Sequence, residues 1–232
     1  MVVMSELPYA AGLAPRPPDG SRGAGWVVFG AGGHARSVVD VLERLGESVV
    51  AVVGDPGGCE WHVDVLADED AAIERVVTEG LQAVVAIGAP EPRLALLARL
   101  GGVAPAVVAA AATVSPRAVL GPGAVVLEHA HVGPSARLGV GVIVNTGAVV
   151  EHDCVVGDGA HIAPGAALLG AARVGDGTFV GSGARVLPGI ELGVGVTVGA
   201  GSVVTWGVPD GNTVVGVPAR LATSRRAEDV HP

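Results

Sequence analysis

Every sixth residue from Val114 to Val204 is aliphatic: Val114, Leu120, Val126, Val132, Leu138, Val144, Val150, Val156, Ile162, Leu168, Val174, Val180, Val186, Leu192, Val198 and Val204. Four residues after each comes a small or modest one, among them Ala118, Ala124, Ala130, Ala136, Ala148, Cys154, Ala160, Ala166, Thr178 and Ser202. A helix repeats its apolar face about every 3.6 residues and a half-buried strand every two, so a period of six fits neither alone. It fits a solenoid of very short parallel strands in which each hexapeptide is one strand and one turn. Three such units close a triangular coil, and the aliphatic residues stack inside a narrow prism. The partner position is small because the prism has no room for a second large side chain.

Composition agrees with such a core. Half the residues are apolar while only 3% are aromatic, which suits stacked Val, Leu, Ile and Ala. The 37 glycines fall periodically between the apolar positions, so the disorder reading of a Gly-rich chain does not apply. The formal net charge is −9 and every basic residue is Arg. An acidic chain without a basic run argues against nucleic acid as partner. The long Val/Ala/Gly region is cut by turns and charges, so no membrane span is expected. Met1 to Gly25 lacks a basic start followed by an apolar block, is rich in Pro, Gly and Ala, and reads as a disordered tail rather than a secretory signal. Cys59 and Cys154 make no disulfide framework, and the cytoplasm is the expected location.

Between tail and solenoid, strands alternate with helices. Trp26 to Gly30 reads as a buried parallel strand, followed by a helix from about Ala35 to Leu45 and a second strand at Val49 to Val53. A Gly/Pro loop follows. Asp68 caps a helix over Glu69 to Thr78; Ala83 to Ile87 is a third strand, Pro92 to Leu100 a helix and Ala106 to Ala109 a short strand. This pattern predicts a small parallel sheet with right-handed crossovers. The repeat is expected to stop after Val204, with a closing loop through Gly207 and Gly216-Val-Pro-Ala-Arg220 and a frayed end from Thr223. The chain thus divides into a tail (1–25), a small α/β domain (26–110), a solenoid (111–207) and a closing loop and tail (208–232).

Two stretches carry chemistry. Gly30-Ala-Gly-Gly-His-Ala35 lies between a strand and a helix, where glycines let a backbone approach a phosphate and the helix start favours an anion. It matches G-x-G-x-x-A, with Asp55 at the end of the next strand, where an acidic residue grips a ribose. The alternatives are a nucleotide or nucleotide-sugar pocket, or a tight turn without a ligand; the four-stranded sheet lacks the second nucleotide half. Among seven histidines, His62 and His231 read as solvated, and His129 and His131 lack a neighbouring carboxylate. His34 sits where it could touch a ligand at the helix start. His152 lies two residues after an inward Val and two before the inward Cys154, off the core, with Asp153 able to accept from one ring nitrogen and leave the other as a base. The alternative is a plain surface imidazole. His161 precedes the inward Ile162. His152 and His161 stand half a coil apart, so in one chain they should occupy different parts of the triangle, and packing around a threefold axis could bring them together between neighbours. Cys154 fills a small inward slot and is inert there, and no His or Cys pair has a metal-ligand spacing.

With both halves in view, the chain resembles the hexapeptide-repeat sugar acetyltransferases: the bacillosamine and perosamine N-acetyltransferases and the sialic acid O-acetyltransferases. The matching stretches are Val28 to His34, Ala86-Ile-Gly88, Val144-Asn-Thr-Gly-Ala-Val-Val-Glu-His-Asp-Cys154, Gly157 to Gly165 and Gly216 to Arg220. The resemblance implies an α/β Rossmann-like small domain followed by a left-handed parallel β-helix, assembled as a homotrimer with active sites between subunits. It implies no metal, and transfer of an acetyl group from acetyl-CoA, as co-substrate, to an amino or hydroxyl group of a sugar or nucleotide sugar, such as a nucleotide-linked 4-amino sugar. His152 would be the general base and Asp153 would raise its basicity. His161, Ser182 and Ala200 would line the acyl-CoA cleft, with Asn145 near the base. Gly32, Gly33, His34, Gly54, Asp55 and Gly88 would hold the nucleotide sugar. Gly54 departs from the two acidic residues that bacillosamine enzymes tend to carry there, which weakens the case for UDP in particular. Two other readings stand beside this one: a nicotinamide-linked oxidoreductase using the G-x-G-x-x-A turn, and a non-catalytic trimeric scaffold that senses a nucleotide.

Overall fold

The computed structural model describes residues 25–222. The tail expected at 1–25, apart from Gly25, and the end expected from Thr223, with His231, lie outside the described residues.

The small domain runs β1 (Trp26–Phe29), α1 (Gly33–Arg44), β2 (Val49–Val53), β3 (Asp64–Leu66), α2 (Glu69–Thr78), β4 (Gln82–Val85) and α3 (Pro90–Leu100). Its strands are parallel in the order β3-β2-β1-β4. Central β1 is buried along its whole length, as a parallel strand covered on both faces requires. Val28 and Val52 face Ala35, Val38 and Leu42 of α1. Val27 and Phe29 face Ala72 and Val76 of α2 and Leu96 and Leu97 of α3. Asp68 caps α2 as expected, its carboxylate accepting from the Ala71 N–H at 3.1 Å.

The number of strands in this sheet agrees with the sequence reading, but one member differs. Asp64–Leu66 is a short edge strand with two exposed residues, so it carries no apolar run to betray it. The strand expected over Ala106 to Ala109 forms as β5 (Val107–Val108), but it pairs with Val125–Val126 and opens the solenoid. Helices α1 and α3 each begin two residues earlier than expected, α1 at the glycines and α3 at Pro90, which needs no N–H partner in a first turn.

The solenoid is a triangular prism of two-residue strands. Strands stack eighteen residues apart, as in Ile143 on His161, Val149 on Ala167 and Val155 on Arg173. The first face contains Val125–Val126, Ile143–Val144, His161–Ile162 and Phe179–Val180; the second contains His131–Val132, Val149–Val150 and Ala167–Leu168; the third contains Arg137–Leu138, Val155–Val156 and Arg173–Val174. The second residue of each strand points inward, and Val126, Val144, Val150, Ile162 and Leu168 are fully buried. The small slots Ala136, Ala148, Cys154, Ala160 and Ala166 join the same core. Each fully buried aliphatic side chain contributes about 1.5–3 kcal/mol, which a stack of this length repeats many times over.

The ladder does not stop at Val204. It loses two residues and continues: Val208 stacks on Leu192 and Val214 on Val198, sixteen residues apart. Both are buried in the prism core. The changed spacing hides this last coil from a strict count of six.

The small domain lies against the first face. Val125 and Leu127 are buried with Val28 and Ala86. Helix α3 runs along the corner between the third and first faces. A Cβ on Gly123, Gly141 or Gly159 would run into Leu97, Leu97 or Leu94 in turn, and one on Gly177 would just touch Pro90 at 3.8 Å, so a column of glycines, one per coil, forms its seat.

Candidate active site

The Gly-rich turn forms one wall of the site. Gly30 has φ +128, and a Cβ there would lie 2.6 Å from the Ala86 carbonyl; only glycine lets β1 and β4 end so close together. Gly32 and Gly33 differ, since a Cβ on either would meet nothing within 4 Å. The fold does not demand glycine there, and the space beside the backbone is open. Gly32 is the N-cap of α1, with no side-chain cap and no acidic residue in the first turn, so the helix start presents unspent N–H groups and a partial positive charge to an anion. Trp61 holds the turn by donating its indole N–H to the Ala31 carbonyl at 3.2 Å. A cavity of about 240 Å³ opens at the strand ends, lined by Gly30, Ala31, Gly54, Asp55, Glu69 and Ile87. Gly54 has φ +125, and the Asp55 carboxylate accepts from the Gly57 N–H at 2.9 Å. Gly88 follows the cavity-lining Ile87, three residues beyond the end of β4.

The turn carries His34 onto the solenoid wall. Its ring centre is 6.4 Å from that of His161, which meets Phe179 edge-on at 5.3 Å. Asn145 is 3.0 Å from His161 Nε2 through its amide nitrogen, and its oxygen accepts from the Thr146 N–H at 2.8 Å. With the oxygen so occupied, the NH2 group faces His161, whose Nε2 must accept and whose proton must sit on Nδ1. Burial first, then the charges of His34 and Arg93, holds the His161 imidazole down to about 4. Burial and then Arg93 lower His34 as well, so both rings are neutral near pH 7. His34 Nε2 is buried without a protein partner.

His152 occupies the corner between the second and third faces. Asp153 takes a left-handed backbone conformation, φ 61, at a corner that Gly147, Gly159 and Gly165 fill in neighbouring units. Asp adopts this conformation more readily than most residues, and it places Oδ2 2.8 Å from His152 Nδ1. Both side chains are more than half exposed. His152 Nε2 lies on the side away from the carboxylate, and the ring rests against Gly170 one coil further on, where a Cβ would lie 2.6 Å from Nε2 and Cε1.

The structure therefore brings His34, Asn145 and His161 together beside the Gly-rich cleft, and holds His152 with Asp153 as a separate pair. His161 lies on the first face and His152 on the opposite corner, with the prism between them. Ser182 and Ala200 are exposed on the corner between the first and second faces. Cys154 is fully buried, and burial pushes its thiol up, away from the reactive thiolate. Among the described residues, no group of three His, Cys, Asp or Glu is placed to hold a metal ion.

Residues 26–100 match the model of the PglD N-terminal domain. Among solved structures, the acetyltransferase domain of PglB from Neisseria gonorrhoeae is 34% identical over 86% of this chain and 100% of its own, with a TM-score of 0.80. PerB from Caulobacter crescentus, solved with CoA and GDP-perosamine, is 37% identical over 86% of this chain and 97% of its own, also at 0.80. The chain belongs to the bacillosamine/perosamine sugar N-acetyltransferase family. WeeI from Acinetobacter baumannii is 26% identical over 85% of this chain and 99% of its own, at 0.75. Among curated proteins, none matches the chain in sequence. This acetyltransferase has the fold expected of the family, a small α/β domain followed by a left-handed parallel β-helix. It is an acyl-CoA-dependent sugar acetyltransferase with acetyl-CoA as co-substrate.

Sequence reasoning missed four residues of this acetyltransferase's site. Gly170 was within reach, since it stands one coil of eighteen after His152. Phe179 stacks on His161 by the same arithmetic. Trp61 and Arg93 gave no signal, because Trp61 bonds the Ala31 carbonyl thirty residues away and Arg93 reaches the carbonyls of Gly141 and Gly159 across the tertiary fold.

Proposed function

We propose that this acetyltransferase moves the acetyl group of acetyl-CoA onto the amino group of a nucleotide-linked 4-amino sugar, with His152 as general base. The observation that carries the reading is the geometry of His152: Nδ1 tied to the Asp153 carboxylate at 2.8 Å, Nε2 left free on an exposed corner. A neutral imidazole so held takes a proton at Nε2, and the carboxylate stabilises the imidazolium that forms. The amine nitrogen attacks the thioester carbonyl and passes its proton to Nε2. Backbone N–H donors of the corner turns stabilise the oxyanion. Collapse breaks the C–S bond, and the departing thiolate recovers the proton from the imidazolium. The thioester is already activated, so no enzyme nucleophile is needed, in keeping with a sealed Cys154.

The nucleotide occupies the cleft at the start of α1, its phosphates on the N–H groups around Gly32 and Gly33 and its ribose near Asp55. The sugar then points past His34 towards His161 and Asn145. In PerB, CoA and GDP-perosamine were seen together, which supports a two-substrate site of this kind. Because the prism separates His161 from His152 within one chain, a neighbouring chain completes the site, and we read the assembly as a homotrimer. The acyl-CoA lies along the groove between chains, against His161, Ser182 and Ala200. Cytoplasmic placement fits both substrates, and no helix among the described residues is long and apolar enough to cross a membrane. The nicotinamide reading loses ground to topology: β3-β2-β1-β4 is one half of a dinucleotide sheet, and the solenoid stands where the second half would begin.

The test is incubation with labelled acetyl-CoA and a panel of nucleotide-linked amino sugars, with products weighed by mass spectrometry. An acetylated amino sugar is expected. CoA binding without product from any amine or hydroxyl acceptor would defeat the proposal.

A further inference from the structure

Arg93 is fully buried in the first turn of α3, and no carboxylate is bonded to it among the described residues. Its guanidinium spends its donors on backbone carbonyls instead. Nη1 donates to Ile87 and Gly88, each at 2.6 Å. Nε donates to Gly141 at 2.8 Å, and Nη2 donates to Gly159. The first two carbonyls belong to the loop that leaves β4 and edges the nucleotide cleft. The other two belong to successive coils of the solenoid. Gly159 is two residues before His161, and Gly141 is four before Asn145.

We propose that Arg93 is a positioning residue that fixes the nucleotide cleft against the solenoid wall bearing Asn145 and His161, so that sugar and acyl donor meet in register. The inference rests on the two-substrate reading above and names a device within it. A planar five-donor fork fits the task because it satisfies several carbonyls in fixed directions. The seat is shaped for it, since α3 lies on the glycine column and Arg93 reaches between two of those glycines. Burying a cation without a counter-ion is costly, and hydrophobic packing of α3 alone would not require it. Burial pulls the Arg93 guanidinium down to about 10, with Glu91 acting the other way; it stays charged at neutral pH, and its field reaches both His34 and His161.

The test uses the full chain with Arg93→Met and Arg93→Lys. Misplacement of reacting groups by about 1 Å costs on the order of 10²-fold in rate. Arg93→Met is expected to lose turnover on that order while binding CoA with wild-type affinity and stoichiometry by calorimetry. Arg93→Lys, which keeps the charge and part of the donor set, is expected to recover part of the loss. Wild-type turnover in Arg93→Met would overturn the proposal, as would a rate loss matched by an equal loss of CoA-binding sites, because that is unfolding rather than misplacement. Histidine titration by NMR, on isotope-labelled protein, needs no activity. His34 and His161 are expected to titrate at higher pH in Arg93→Met and to return towards wild type in Arg93→Lys; unchanged titration in both variants would also overturn the proposal. If the wild-type protein transfers no acetyl group, the proposed function fails and the histidine titration decides the role of Arg93 alone.

Discussion

The imidazole of His152 packs against Gly170, one coil further on, with Cε1 and Nε2 nearest and no room for a methyl group between them. Asp153 holds the ring at Nδ1 and Gly170 packs against its Nε2–Cε1 side, so the two together restrict how the ring can turn. The φ of Gly170 is not among the positive values, so alanine suits the backbone there and only the ring is displaced. Gly170→Ala is expected to keep its fold and to lose turnover by about 10²-fold, read by steady-state kinetics beside circular dichroism. A fully active variant would show that the ring needs no such backing.

His152→Ala is expected to lower turnover by about 10²- to 10⁴-fold, the usual contribution of a positioned general base, without change in secondary structure. Asp153→Asn keeps a residue tolerant of the left-handed corner but removes the charge that would stabilise the imidazolium, so a smaller loss of turnover than in His152→Ala is expected. Turnover that survives His152→Ala nearly intact would mean the base has been misassigned.

The two histidines sit on opposite sides of the prism, so the proposed site should be shared between chains. Co-refolding of inactive His152→Ala chains with inactive His161→Ala chains is expected to restore a fraction of wild-type activity. The hybrids contain interfaces carrying one intact copy of each residue. Mixtures no more active than their components would place both roles within a single chain.

Protonation opposes folding at His161. Its folded pKa, about 4, lies below the ordinary value of 6.5, and His34 is lowered as well. Between those two values the unfolded chain binds protons that the native chain refuses, so stability is complete above about pH 6.5 and falls as pH drops towards 4. Urea midpoints measured from pH 7.5 down to 4.5 should decline, and His161→Gln should flatten the decline. A flat wild-type profile would refute the burial of these rings.

Thr178 is a polar residue in an inward slot. Its hydroxyl donates to the Gly193 carbonyl at 2.7 Å and accepts from the Val196 N–H at 3.0 Å, and the residue is fully buried. Thr178→Val preserves shape but strands both backbone groups, at a cost of about 1–3 kcal/mol. Denaturant unfolding should show that loss; an unchanged midpoint would mean water reaches the turn.

The solenoid was legible because each coil repeats the same local rule. Val144, Ile162 and Val180 are spaced by the chain itself, and a side chain every six residues has one direction to point. The final coil escaped because Val208 and Val214 follow a shortened turn, and β3 escaped because Asp64–Leu66 is a solvent-facing edge with nothing apolar to announce it. His152 with Asp153 was legible because the pair is adjacent in sequence and its corner is set by the same repeat.

By itself, then, the sequence determined the prism, its register and the placement of one imidazole off the core, since these depend on neighbours at fixed short spacings. Only the tertiary structure decided that α3 lies on a column of glycines, that Arg93 joins Gly88 to Gly141 and Gly159, and that His34 reaches His161. Those contacts link residues whose separation obeys no period. They exist because two independently patterned units bury a common surface, and which carbonyl then faces which donor is settled by docking rather than by any local preference.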